Sequence, residues 1–152
     1  MTGSIKCISP VDGRVYASRP VASKKAIAAT FAAAHAAQEK WKRLPIAERA
    51  AYCTAAVDAM LAMKDEIVPE LAWQMGRPVR YGAGELRGFE ERARYMIGIA
   101  ERALANIDPG PKDGFQRHIK REPLGVVFTI APWNYPYLTA VNSVIPALMA
   151  GN

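Results

Sequence analysis

The segment Leu124-Gly125-Val126-Val127-Phe128-Thr129-Ile130 limits what this chain can fold into more than any other. It is almost continuously apolar, is rich in β-branched residues, and lacks the alternation of a half-exposed strand. Such a run is expected where a strand is buried on both faces of a parallel sheet. Ala131-Pro132-Trp133-Asn134-Tyr135-Pro136 breaks it. A helix is expected over about 137–149, with Pro146 tightening or kinking its last turns and Gly151-Asn152 as its stop. A buried strand followed by a helix is two thirds of a βαβ unit, and the helix should return the chain to a second parallel strand. No such strand follows within the 152 residues. The expectation is an N-terminal piece of a longer α/β protein. A self-contained helical domain with one hairpin is the competing reading.

Upstream, Ile5–Ser9 and Arg14–Ser18 flank Pro10-Val11-Asp12-Gly13 and read as a β-hairpin. The Asp-Gly pair suggests a turn in which both central residues have φ > 0. Ser23 is the expected N-cap of an Ala-rich helix over 24–42, with Ile27, Phe31, Ala34 and Trp41 on one apolar face. Pro45 suits the start of a helix over about 45–63, with Ala50, Val57 and Leu61 inward. A further helix starts near Asp65, so that Pro69 falls in its first turn. It presents Ile67, Leu71 and Met75 and stops at Gly76-Arg77-Pro78. The next spans about 84–105, with Leu86, Phe89, Ala93, Ile97, Ala100 and Leu104 as its stripe. After Pro109-Gly110-Pro111, residues Phe115–Glu122 alternate apolar and basic and read as an exposed edge that needs a partner.

Composition narrows the class. Hydrophobic residues are 51% and charged residues 22%, a globular balance. Lys and Arg exceed Asp and Glu by 20 to 14, but the basic residues are scattered and no aromatic-rich RNA-binding signature accompanies them, so no nucleic-acid partner is expected. No apolar run reaches the ~18 residues of a membrane span, so no membrane partner is expected either. The N-terminus shows no signal-peptide core. Cys7 and Cys53 cannot build a disulfide framework or, alone, a zinc site, and a reducing cytoplasmic location is expected. Cys53 falls inside a helix and reads as a buried structural thiol; His35 reads as a surface or interface residue.

No Gly-rich phosphate loop, Gly-x-Ser-x-Gly or His-Glu-x-x-His occurs. The unusual chemistry lies in 131–136, at the carboxyl end of the expected buried strand, where open α/β sheets place ligands. Two prolines stiffen the segment, Trp133 offers a flat surface, and Asn134 offers an amide with two N–H donors. A rigidly held amide can stabilise a developing oxyanion. Ordinary turn chemistry, with a tryptophan that merely packs, explains the same residues.

Three blocks carry a resemblance: Arg121-Glu122-Pro123-Leu124-Gly125-Val126-Val127, Ile130-Ala131-Pro132-Trp133-Asn134-Tyr135-Pro136, and Pro146-Ala147-Leu148-Met149-Ala150-Gly151-Asn152. With their spacing, they closely resemble the aldehyde dehydrogenase superfamily. Fainter similarities are Ser9-Pro10-Val11-Asp12-Gly13, Trp41, Glu48-Arg49, Glu70-Leu71-Ala72 and Met75-Gly76-Arg77-Pro78, where Arg77 replaces the family's usual lysine. The resemblance implies an α/β fold in which an N-terminal hairpin and helices lead into a Rossmann-type parallel sheet, incomplete in this chain. Residues 1–104 would be the hairpin and helical part of the cofactor-binding domain, 105–123 a bridging β segment joining subunits of a dimer or tetramer, and 124–152 the first strand and helix of the cofactor sheet. It implies NAD(P)-dependent oxidation of a small-molecule aldehyde through a cysteine thiohemiacetal and thioester. Asn134 matches the oxyanion asparagine, and Ile130, Ala131, Pro132 and Trp133 match the stretch lining the NAD or NADP site. Tyr135, Leu138, Thr139 and Asn142 would face the aldehyde tunnel. Neither cysteine matches the nucleophile, so the 152 residues alone are expected to be inactive. A semialdehyde or CoA-acylating dehydrogenase, or a non-catalytic helical interaction module, are the alternatives.

Overall fold

In the computed structural model, residues 3–152 are described. They form a hairpin, β1 (Ser4–Ile8) and β2 (Val15–Pro20), then α1 (Lys24–Trp41), α2 (Ile46–Ala62), α3 (Lys64–Met75), α4 (Val79–Leu104) and α5 (Pro136–Met149). The two strands pair antiparallel, from Ser4 with Pro20 to Ile8 with Val15, with an irregularity between Cys7 and Ile8.

The hairpin connection has the expected bounds, Pro10 to Gly13, but not the expected backbone at Asp12. Ser9 N–H donates to Arg14 O at 2.8 Å and Gly13 N–H donates to Ser9 O at 2.9 Å, which leaves a four-residue loop. Only Gly13 has positive φ, at 74°. Asp12 instead accepts from the Arg14 N–H through its carboxylate, at 3.0 Å, and so holds the loop without leaving the ordinary region of φ. The hairpin docks on α3. Tyr16 stacks on Trp73 with ring centroids 6.1 Å apart, and its hydroxyl donates to Glu70 at 2.7 Å.

Helices α2, α4 and α5 share one core of Cys53, Val57, Ala93, Ala100, Val141, Ile145 and Met149; Ile67, Leu71 and Leu86 form a second between α3 and α4. These residues fall on the stripes expected for α2 to α4. Helix α4 starts at Val79, five residues before expectation, because Pro78 serves as an extended N-cap residue. Its early glycines fit there through close packing: a Cβ on Gly82 would lie 2.7 Å from Val68 Cγ1, and one on Gly88 2.7 Å from Leu138 Cδ1. Helix α3 starts at Lys64, one residue before expectation, which makes Pro69 its sixth residue. Gly76 ends α3 in the left-handed region, with φ of 78°.

Two expectations meet a different outcome. Ser23 caps α1 as read, accepting from Ala26 N–H at 3.1 Å, but Ile27 and Phe31 on its apolar face are exposed. Only the last turn, through Gln38 and Trp41, reaches the body. Residues 124–130 form no strand ladder among the described residues, and Leu124 and Phe128 are 93% and 86% exposed. A two-faced strand needs a neighbour on each edge, and residues 3–152 supply neither. In 105–123, two isolated bridges, Ile107 to Ile119 and Lys112 to Phe115, replace the expected long edge strand, and Phe115 and Ile119 remain exposed.

Candidate active site

The segment 130–142 is positioned by α5, and α5 is tied down at both ends. At its C-terminus, Asn152 N–H donates to Ala147 O at 3.0 Å and Gly151 N–H to Leu148 O at 3.0 Å, with Gly151 at φ 89°. This is a Schellman ending. Side chains from α1 and α2 take further carbonyls. Gln38 Nε2 donates to Gly151 O at 2.9 Å, Trp41 Nε1 to Leu148 O at 2.8 Å, and Arg49 Nε to Met149 O at 3.1 Å. The last carbonyls of a helix lack their usual partners within it; Gln38 and Arg49 supply donors to Gly151 O and Met149 O, and Trp41 adds a second donor to Leu148 O. Asn152 also accepts from Gly125 N–H at 3.0 Å, which ties the end of α5 to the chain that precedes residue 130.

At the N-terminus of α5, Glu85 from α4 is the capping group. Its Oε1 accepts from Tyr137 N–H at 2.8 Å and from Leu138 N–H at 3.4 Å. A carboxylate there satisfies orphan donors and suits the positive end of the helix dipole. Its Oε2 pairs with Arg77, which has a side-chain exposure of 9% against 0% for Glu85. The second guanidinium nitrogen of Arg77 donates to Asn134 O, and the guanidinium lies 4.2 Å from the centre of the Tyr135 ring. Tyr137 packs beside Ile67, Leu71 and Leu86, and burial, then Glu70 and Glu85, push its phenol above the usual range.

Of the residues singled out in the sequence, Asn134 and Tyr135 line one open cleft of about 610 Å³ with Met75, Gly76, Arg77, Pro78, Tyr81, Gly84 and Glu85. The Asn134 side-chain amide is exposed and makes no hydrogen bond among the described residues. Leu138 turns toward α4 at Gly88. Thr139 and Asn142 are exposed one turn apart, and Asn142 Nδ2 donates to Leu138 O at 3.3 Å. Ile130 and Trp133, 80% and 77% exposed, present apolar surface on the chain leading into Asn134, with Ala131 and Pro132 between them.

Cys53 is buried in the core, where burial pushes its thiol up. Cys7 donates to Gln74 O from β1. No group of three or more His, Cys, Asp or Glu among the described residues is arranged to hold a metal. No helix among them is long and apolar enough to cross a membrane.

Two residues that organise the site carried no functional weight in the sequence reading. Glu85 is a charge next to the apolar stripe, one residue before Leu86 and four before Phe89, and a carboxylate on an inward face must find partners. That was the available signal. Arg77 was visible only as a departure from the usual lysine.

The sequence model of the Aldehyde dehydrogenase family matches residues 1–152. The chain is 33% identical over 153 residues to the 3,6-anhydro-alpha-L-galactose dehydrogenase of Streptomyces coelicolor, covering 99% of this chain and 30% of that protein. It is 34% identical to the long-chain-aldehyde dehydrogenase of an Acinetobacter species, covering 95% of this chain and 29% of that one. The NADP-dependent glyceraldehyde-3-phosphate dehydrogenase of Bacillus halodurans, solved with NADP, superposes with a TM-score of 0.86 at 29% identity, covering 99% of this chain and 33% of that chain. The chain thus spans about a third of the length of the relatives it matches. Those whole proteins are α/β dehydrogenases, and the hairpin and helices described above superpose on their N-terminal parts. With the match running the full length of the sequence, this chain belongs to the aldehyde dehydrogenase family.

Proposed function

We propose that the protein carrying these residues oxidises an aldehyde to a carboxylic acid with NAD or NADP, and that Asn134 supplies the oxyanion donor. The observation that carries this reading is an exposed amide without an internal partner, on a backbone held at the start of a doubly anchored helix.

The chemistry is the one the family resemblance implies. A cysteine thiolate attacks the aldehyde carbon; the C–S bond forms and the carbonyl π pair moves onto oxygen. Asn134 Nδ2–H donates to that oxygen as its charge grows. The backbone beneath the donor is anchored before reaction, which limits the reorganisation needed when the charge appears. When bound, the nicotinamide supplies the acceptor for the hydride that leaves carbon, and the exposed strip Ile130-Ala131-Pro132-Trp133 would hold it. A water activated by a glutamate then releases the acid from the thioester. Neither Cys7 nor Cys53 takes the nucleophile's part in this scheme: Cys53 is sealed in the core and Cys7 is committed to the hairpin. In this reading, as the family resemblance implies, the nucleophile and the base lie outside these 152 residues.

Tyr135, Leu138, Thr139 and Asn142 are proposed to border the aldehyde path. They recur at helical spacing along α5 from the amide outward, and Tyr135 shares the amide's cleft. Residues 105–123 are proposed as the contact between subunits of a homo-oligomer, supported by the exposed Phe115 and Ile119.

The test is kinetic. The intact protein, offered a panel of aldehydes with NAD and with NADP, should reduce the cofactor. Asn134→Ala should lower kcat by about 10²–10³, the typical loss for one oxyanion donor. A variant as fast as wild type would remove Asn134 from the reaction. A wild type that reduces neither cofactor with any aldehyde would overturn the activity.

A further inference from the structure

We propose that Arg77 and Glu85 are positioning residues for the Asn134 amide: a buried ion pair that fixes the backbone from which the donor projects. The inference rests on the oxyanion reading of Asn134 and adds to it the device that aims the group.

Glu85 is the one charged residue among the described residues whose side chain is fully buried. Such a group must have every lone pair occupied. It spends one oxygen on the N–H groups of Tyr137 and Leu138 and the other on Arg77. Arg77 spends one nitrogen on Glu85 and the other on the carbonyl of Asn134 itself, while its plane lies over the Tyr135 ring. A single carboxylate on α4 is therefore connected, directly or through one guanidinium, to residues 134, 135, 137 and 138. Fixing the carbonyl on one side of the turn and the N–H groups on the other fixes the backbone at residue 134, and with it the Cα–Cβ direction from which the Asn134 amide projects.

A planar guanidinium can serve two acceptors at a set angle; an ammonium is a point charge that serves the nearer one. Simple helix capping would need only the Glu85 contacts to Tyr137 and Leu138. The added fork to Asn134 O is what a positioning role requires.

The test is a double-mutant cycle in the intact protein with Arg77→Lys and Asn134→Ala, reading kcat and KM for aldehyde and cofactor. Lysine keeps a positive charge against Glu85 and loses the fork. Displacement of a reacting group by about 1 Å can cost roughly 10²-fold, and about tenfold in kcat is expected here for a smaller shift, with KM within about twofold. In the Asn134→Ala background the same change should cost less than about twofold, because no amide remains to be aimed. An equal loss in both backgrounds, a loss confined to KM, or no loss overturns the pair's role while leaving Asn134's intact. If Arg77→Lys fails to fold, Glu85→Gln is read in the same cycle. It keeps a carbonyl for Tyr137 N–H and turns a donor against Arg77, and the same coupling is expected. A wild type inactive on aldehydes, or an active Asn134→Ala, overturns the underlying reading instead.

Discussion

Replacing Gly82 with alanine would place a Cβ 2.7 Å from Val68 Cγ1 and 3.2 Å from Val68 Cγ2. Val68 is buried and β-branched, so it has no second rotamer into which to retreat. Forcing one extra methyl into a packed contact costs typically ~1–3 kcal/mol. Against this stands the helix preference for alanine over glycine, at most ~1 kcal/mol and less in a first turn, where Gly82 lies. The net expectation for Gly82→Ala is a loss of about 1–2 kcal/mol. Gly98, on the same helix, is the control: it is exposed and a Cβ there meets nothing within 4 Å. Gly98→Ala should therefore gain about 1 kcal/mol by propensity alone. Gly88 falls between them, since the atom it would meet is the tip of the more flexible, half-buried Leu138. Urea unfolding of the intact protein, with each variant followed by the helical circular dichroism signal, gives the ordering. Should Gly82→Ala stabilise as much as Gly98→Ala, the claim that α3 and α4 touch through this glycine is wrong.

The remaining expectations are shorter. Under native conditions a thiol reagent should label Cys7 and leave Cys53 untouched until denaturant is added; native labelling of Cys53 would contradict its burial. Burial raises the folded-state value of the Cys53 thiol, so its contribution to stability is complete below the ordinary thiol range near ~8.5 and is lost as pH rises through the raised value. A Cys53→Ala variant should show a flatter alkaline limb in stability against pH. Trp41→Phe keeps the ring and removes the donor to Leu148 O, which should cost about 1 kcal/mol. Arg49→Met frees the carbonyls of Met149 and Leu44 together, at about 2–4 kcal/mol; a loss no greater than that of Trp41→Phe would mean water takes both places.

The helical part of the fold was legible where each helix buries a stripe in this chain. Val57, Leu71, Leu86, Ala93 and Ala100 follow 3.6-residue periodicity because α2 to α4 pack on one another. Periodicity says which face is apolar but not what covers it, so Ile27 and Phe31 gave the same signal and lie exposed. The start of α4 lies five residues before expectation for a related reason: glycine is a poor helix former, and the close packing of Gly82 on Val68 overrides that local preference. The run 124–130 has the composition of a central strand, yet strand formation depends on partners and composition supplies none. Within the site, Asn134 stood out through its flanking prolines and its family motif. Glu85 and Arg77 did not, because they lie 49 and 57 residues before it and only the crossing of α4 and α5 brings them to it.

Helix α1 is held at one end only, by Gln38 and Trp41, while Ile27 and Phe31 stand in solvent. Its first turns have little more than their own hydrogen bonds to preserve them, and an isolated helix of this length is marginal even when alanine-rich. Amide hydrogen exchange should therefore grade along a single helix, rapid near Ala28 and slow near Gln38, as a local opening that leaves the body intact. Trypsin should find the same weakness at Lys24 and Lys25. A nick there would part the hairpin from the helices in sequence but not in space, since the Tyr16 ring would still lie on Trp73.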